Sequence, residues 1–181
     1  NLNEPSFNEL TYSSMLEAFD RFDDEVGAAE PWRLIASSLG GWTAARWAQL
    51  NPGRVDRLVL LSPGFNMRTR WPELLGEQGM EEWEEEGSFL FFGPDGSLQP
   101  VHWELYADAC RNHPPVPELP CPTLIIHGTE DPIVPIEYSR KVEAAYPERV
   151  DIVEVDDEHT LESSLERVSA ETLTFFGLDD R

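Results

Sequence analysis

The sequence predicts an α/β fold, a mostly parallel sheet flanked by helices, and three observations carry that prediction. Four short segments rich in apolar residues, at residues 32–36, 57–62, 123–127 and 150–155, have the length of core strands. Segments with apolar residues at helical spacing lie between them, and strands alternating with helices specify parallel pairing with right-handed crossovers. The chain has 181 residues, 40% of them hydrophobic, which suffices for one domain with a sizeable core. The expected organisation is a single domain over 1–181 with a small helical cap inserted at about 65–120.

Asn1 to Leu10 is polar, carries Pro5 and reads as extended. From Thr11 onward Tyr12, Met15, Leu16, Phe19, Phe22 and Val26 recur at helical spacing, with Ser14 and Glu17 placed as a capping box and Gly27 as the stop. The apolar stripe of this helix is expected to pack on the sheet. The run Trp-Arg-Leu-Ile-Ala-Ser-Ser-Leu-Gly-Gly-Trp, residues 32–42, reads as strand, sharp turn and helix, the helix continuing from Trp42 to Leu50 until Pro52 stops it. Asn51-Pro52-Gly53 then turns the chain into the strand at Leu58, Val59, Leu60 and Leu61, which Pro63-Gly64 closes.

From Phe65 to about Pro120 the pattern loosens into aromatics and an acidic run, Glu81 to Glu86, read as the solvated face of a cap helix. Regularity returns with the strand Thr123 to His127, the segment Gly128-Thr-Glu-Asp131-Pro-Ile-Val-Pro135 and a helix from about Ile136 to Tyr146. Val150 to Val155 forms the last strand, and Asp156-Asp-Glu-His159 follows it. A helix through Leu161, Leu165, Val168, Leu173 and Phe176 ends the chain.

Composition narrows the function classes. The formal net charge of -22 excludes nucleic acid and anionic membrane surfaces as expected partners, because both are bound through clustered Lys and Arg. Lys141 is the one lysine among 13 basic residues. Cys110 and Cys121 lack metal-type spacing, so two reduced thiols in a cytoplasmic protein are expected, with no metal site. No apolar run is long enough to cross a bilayer, and no signal peptide is visible.

The turn at residues 36–41 is where chemistry concentrates. A serine held between strand and helix has its hydroxyl pushed out at the sheet end, with helix N–H groups and a positive dipole aimed at any negative charge forming there. The positions two before and two after such a nucleophile must be small, and Ser38 has Ala36 and Gly40 there, whereas Ser37 would have Ile35 and Leu39. A serine before a helix also serves as an ordinary N-cap. Sites in parallel sheets collect at the carboxyl ends of the strands, and Asp131 and His159 fall at two more of those ends. A histidine that takes the serine proton, with a carboxylate fixing its tautomer, makes a serine nucleophilic near neutral pH. Asp131 also suits the start of a turn, and Glu130, Asp156 and Asp157 are rival carboxylates. Among the other histidines, His102 and His113 lie in the insertion and His127 reads as structural.

The chain resembles the α/β-hydrolase family, and within it the small YqiA-like esterases. The likeness rests on Leu2-Asn3 with Pro5-Ser6-Phe7, Ala36-Ser37-Ser38-Leu39-Gly40-Gly41, Asn51-Pro52, Leu60-Leu61-Ser62-Pro63, His127-Gly128 through Asp131 to Val134-Pro135, and Asp157-Glu158-His159. It implies Ser38 as nucleophile, Asp131 as the histidine's partner, His159 as general base and acid, and the Leu39 backbone N–H as an oxyanion donor. It also implies hydrolysis of small-molecule acyl esters or thioesters without metal or organic cofactor. Such proteins carry an earlier strand ending in a His-Gly type loop that supplies a second oxyanion donor, and none precedes Asn1. The chain is therefore expected to be truncated and a weak catalyst as it stands. The alternative is a non-catalytic binding module of the same fold. The negative charge is expected to favour neutral acyl esters over acyl-CoA at low salt.

Overall fold

The computed structural model describes residues 6–92 and 96–178, so the Leu2-Asn3 and Pro5 part of the motif set lies outside the described residues. In chain order the elements are α1 (Tyr12–Val26), β1 (Trp32–Ser37), α2 (Ser38–Leu50), β2 (Val55–Leu61), α3 (Met67–Glu86) and β3 (Ser88–Phe92). β4 (Leu98–His102), α4 (Glu104–Asn112), β5 (Thr123–Gly128), α5 (Ile136–Ala145), β6 (Val150–Val155) and α6 (Leu165–Phe176) follow. Two compact units emerge, one of Asn1–Gly27 with Asn66–Pro115, the other of Ala28–Phe65 with Val116–Arg181.

The second unit holds a four-stranded sheet in the order β1-β2-β5-β6, every pair parallel. Parallel neighbours need crossovers, and α2 and α5 supply two of them. All six residues of β5 are buried, as expected of an inner strand. β1 alternates between half-buried and exposed residues, with Ile35 55% exposed, because it pairs on one side with β2 among the described residues. On α2 the residues Trp42, Ala44, Ala45, Trp47 and Ala48 are buried, small alanines between two large indoles. Val59, Leu124, Ile126, Val155, Leu161, Val168 and Phe176 form a further cluster that ties α6 to the strands. Burying each such side chain contributes roughly 1.5–3 kcal/mol.

The first unit departs from expectation in four ways. The capping box of α1 is Thr11 with Ser14, one turn before the expected pair, each side chain accepting the other's backbone N–H at 2.9 Å. α1 packs against α4 of the insertion, where the sheet had been expected to receive its stripe. The insertion is not wholly helical: Ser88–Phe92 and Leu98–His102 pair as an antiparallel hairpin. Its run of Phe and Leu suits a strand as well as a helix, and burial against Trp83 decides. Trp83 is fully buried, packs on Phe89 and Phe91, and donates its indole N–H to the Val101 carbonyl at 2.9 Å. The acidic residues around Trp83, Glu81, Glu82, Glu84, Glu85 and Glu86, are exposed on α3, as the charge run implied. Residues Phe7–Glu9 form a 3-10 turn where extended chain had been expected.

Both cysteines are free thiols, Cys110 exposed and Cys121 buried. Burial pushes the Cys121 thiol up to about 11, so it stays protonated. No helix among the described residues is long and apolar enough to cross a membrane.

Candidate active site

β1 ends at Ser37 and α2 begins at the next residue, so the reversal from strand to helix is made within Ser38 itself. Its φ is 50°, in the left-handed region that costs a residue with a Cβ free energy and persists only where the surroundings enforce it. The end of β2 does the enforcing. The Gly64 N–H donates to the Ser38 carbonyl at 2.7 Å. A Cβ on Gly64 would stand 3.3 Å from the Leu39 nitrogen, and one on Gly41 would stand 3.1 Å from the Pro63 Cβ. Sequence reasoning placed the crowding at Ala36 and Gly40; the structure adds Gly41 and Gly64, which face each other's chain segments across the turn. The signal was the Pro63-Gly64 pair, read only as a strand stop. Leu39 lies in the first turn of α2, where backbone N–H groups lack intrahelical acceptors and the dipole is positive.

Asp131 serves two needs with its two oxygens. Oδ1 accepts the N–H groups of Ile133 at 2.8 Å and Val134 at 2.9 Å, which makes the turn, and Oδ2 lies 2.7 Å from Nδ1 of His159. The turn-forming and histidine-orienting readings are both satisfied. Its side chain is fully buried. Burial alone would raise its pKa, but hydrogen bonds from His127, His159 and the Val134 N–H, with the charge of His159, outweigh that and hold the carboxyl well below the usual carboxylate range.

His159 is carried by the loop after β6, and that loop is laid directly on the end of β5. The Thr129 N–H donates to the Val155 carbonyl at 2.8 Å and the Glu130 N–H to the Asp157 carbonyl at 3.1 Å. The contact is so close that a Cβ on Gly128 would fall 2.3 Å from the Asp157 carbonyl oxygen and 2.5 Å from that of Glu158. Only glycine fits between the Asp131 loop and the His159 loop. Nε2 of His159 then reaches Ser38 Oγ at 2.9 Å. Ser38, His159 and Asp131 thus form one hydrogen-bonded row, from a half-buried hydroxyl, through an imidazole 19% exposed, to a buried carboxylate.

The remaining side chains weighed from sequence lie elsewhere. Glu130 and Asp156 are exposed, and Asp157 Oδ1 accepts the Glu158 N–H at 2.8 Å. His102 is exposed, and His113 contacts Ser13 Oγ at 3.0 Å in the first unit. His127 is fully buried beside Asp131, its Nε2 3.2 Å from Oδ2. Among the described residues, no group of three or more His, Cys, Asp and Glu side chains is arranged to hold a metal ion.

A sequence profile of the family described as "Alpha/beta hydrolase family" matches residues 4–171. The mitochondrial palmitoyl-protein thioesterase ABHD10 of Mus musculus is 28% identical over 125 residues, 66% of this chain and 41% of that protein. The chain therefore spans about two-fifths of that relative's length. The solved structure of the mouse alpha/beta hydrolase domain-containing protein 10 superposes with a TM-score of 0.75 at 23% identity, over 95% of this chain and 70% of that one. Est1E from Butyrivibrio proteoclasticus superposes with a TM-score of 0.71 at 20% identity, over 94% of this chain and 72% of that one. At these identities the superpositions speak to the fold.

Proposed function

The chain belongs to the α/β-hydrolase family, and from that premise we propose that it is a serine hydrolase that cleaves carboxylic esters or thioesters of small molecules through an acyl-enzyme. The observation that carries the proposal is the row from Ser38 Oγ to His159 Nε2 at 2.9 Å and from His159 Nδ1 to Asp131 Oδ2 at 2.7 Å. With a hydrogen on Nδ1 held by the carboxylate, Nε2 presents a lone pair to the serine. As Oγ bonds to the acyl carbon, its proton passes to Nε2, and Asp131 stabilises the imidazolium. The tetrahedral oxyanion forms at the N-terminus of α2, where the Leu39 N–H donates to it. Nε2 returns the proton to the departing alcohol or thiol, and a water activated in the same way releases the acid and restores Ser38.

Thioesters, already implied by the family resemblance, gain support from the name of the mouse relative, and the narrower likeness to YqiA-like esterases rests on the motifs alone. The net charge of -22 favours neutral acyl donors over polyanionic ones such as acyl-CoA at low ionic strength, a gap that salt narrows as screening shortens to about 10 Å at 0.1 M. A fluorophosphonate probe tests the core of the reading. Covalent labelling of the wild type and none of Ser38→Ala is expected, whereas equal labelling of both would remove Ser38 from the mechanism. A wild-type protein that takes up no probe and turns over no ester would be a binding module instead.

A further inference from the structure

We propose that His127 is a positioning residue of the same site: a second, fully buried imidazole that clamps Asp131 from behind and sets the direction in which its carboxylate receives His159. The inference rests on the serine hydrolase reading, since that reading defines the work of Asp131.

His127 is the last residue but one of β5, with no exposed surface. Its Nε2 faces two acceptors, the Val134 carbonyl at 2.9 Å and Asp131 Oδ2 at 3.2 Å. Two acceptors on one nitrogen place a hydrogen there, shared between them. Its Nδ1 lies 2.7 Å from Ser139 Oγ, and Ser139, on α5, is fully buried too. The serine hydroxyl donates into Nδ1, which keeps the ring hydrogen on Nε2. His127 and His159 are therefore opposite tautomers, and both turn an N–H to the same carboxylate oxygen.

The donors then count out. Oδ1 receives the Ile133 and Val134 N–H groups, and Oδ2 receives His159 at 2.7 Å and, at 3.2 Å, the longer arm of the N–H that His127 shares with the Val134 carbonyl. Donors thus face both oxygens, so a rotation about the Cβ–Cγ bond does not satisfy the carboxylate equally well. Val134 closes the loop, giving its N–H to Asp131 and its carbonyl to His127. This arrangement differs from a core histidine satisfied by backbone, because one of its acceptors is the group that orients the general base. Without the His127 N–H, Oδ2 is left with one donor, the carboxylate loses the restraint on its far side and can shift toward His159, and its negative charge concentrates on the hydrogen bond to His159.

The test uses His127→Phe, which keeps the bulk and loses the donor, and His127→Gln, whose amide can return an N–H. Both are made in the wild type and in Asp131→Asn. With a p-nitrophenyl ester of a short fatty acid, His127→Phe is expected to lower kcat about 10- to 100-fold at unchanged KM, as misplacement of a catalytic group does. His127→Gln should recover most of the loss. In the Asp131→Asn background His127→Phe should change kcat less than about twofold, because residues acting as one unit are not additive. Full kcat in folded His127→Phe, or the same fold-loss in both backgrounds, would overturn the clamp. A proton NMR spectrum gives an arm independent of turnover: the hydrogen-bonded Nδ1–H signal of His159 should move downfield in His127→Phe and return toward the wild-type position in His127→Gln. An unmoved signal would also overturn the clamp. Should His127→Phe fail to fold, His127→Leu, which also lacks the donor, takes its place in both backgrounds and is read by the same two measurements, with the same outcomes supporting or overturning the clamp. Failure of the wild type to hydrolyse the ester or take up the fluorophosphonate would instead sink the hydrolase reading, and the NMR arm would still decide the clamp.

Discussion

Each unit of the molecule holds a serine, a histidine and an aspartate in hydrogen-bonding contact, and the two sets are wired differently. In the sheet unit the imidazole of His159 stands between Ser38 and Asp131, using one nitrogen for each. In the other unit Asp108 is buried and takes Ser13 directly, its Oδ2 accepting the Ser13 N–H at 2.7 Å and its Oδ1 the Ser13 hydroxyl at 2.9 Å. Asn112 adds a third donor at 2.7 Å. His113 approaches with the same nitrogen to both, Nε2 lying 3.0 Å from Ser13 Oγ and 3.4 Å from Asp108 Oδ2. The Ser13 hydroxyl donates to a carboxylate, a far weaker base than an imidazole, and no imidazole stands between the two to take its proton. The second cluster instead satisfies the first turn of α1 and joins it to α4. Residue types do not make a nucleophile; an imidazole interposed between hydroxyl and carboxylate does.

The largest effect expected from that difference is all or none. Ser38→Ala should abolish fluorophosphonate labelling and lower ester turnover by about 10⁶-fold, with little change in unfolding midpoint. Ser13→Ala should leave labelling unchanged. If Ser13→Ala lost labelling while its unfolding curve matched wild type, the contrast between the clusters would fail.

Next in size is Gly128→Ala. A methyl group 2.3 Å from a backbone carbonyl must push the His159 loop away from β5. A displacement on the order of 1 Å costs about 10²-fold in rate, and overpacking costs roughly 1–3 kcal/mol in stability. The same substitution at Gly53, with nothing near its Cβ, meets no neighbour, although its φ of 85° carries a backbone penalty. Equal turnover in Gly128→Ala and Gly53→Ala would show that the two loops are not held by this contact.

Much of this was readable in advance, and the reason is physical. The four core strands fall within two residues of their expected ends because each is a short run rich in apolar residues bounded by turn residues, a local pattern. The Ser38, Asp131 and His159 positions followed from strand ends, which those runs define. What escaped the sequence was set by contacts between distant segments. The β3–β4 hairpin depends on Trp83, and the packing of α1 on α4 depends on Asp108, 95 residues from Ser13. Local periodicity cannot say which neighbour an amphipathic helix will meet. His127 was seen, at the end of a strand, but its hydrogen-bond partner is fixed by a turn that Asp131 itself builds.

A third comparison separates stability from activity. Asp108→Ala removes a buried acceptor and leaves the Ser13 N–H without its carboxylate, the hydroxyl keeping only His113, at a cost of about 1.5–3 kcal/mol for bonds to a charged group. Urea unfolding should show that loss while ester turnover at a temperature where the variant is folded stays within about twofold of wild type. Loss of turnover without loss of stability would give the cluster a part in the chemistry.

The smallest effect on stability shows in acid. Burial opposes ionisation of both carboxylates, yet Asn112 and Ser13 hold the Asp108 pKa below its ordinary value, as His127, His159 and Val134 do for Asp131. A group depressed in the folded state lends stability above its unfolded value, about 3.9 for Asp, and that stability drains away as the pH falls from there through the folded value. Unfolding free energy of the wild type should therefore be level in these two groups from pH 7 to about 5 and decline below about 4. Asp108→Asn and Asp131→Asn should each start lower and decline less steeply, since each lacks one of the titrating groups. The two variants part on labelling: at pH 7 Asp108→Asn should react with the fluorophosphonate at the wild-type rate, and Asp131→Asn far more slowly, because the amide favours the wrong His159 tautomer. An Asp131→Asn protein as steep in acid as the wild type would mean that its carboxylate is not ionised through the hydrogen bonds described, and the charge balance of the row would have to be redrawn.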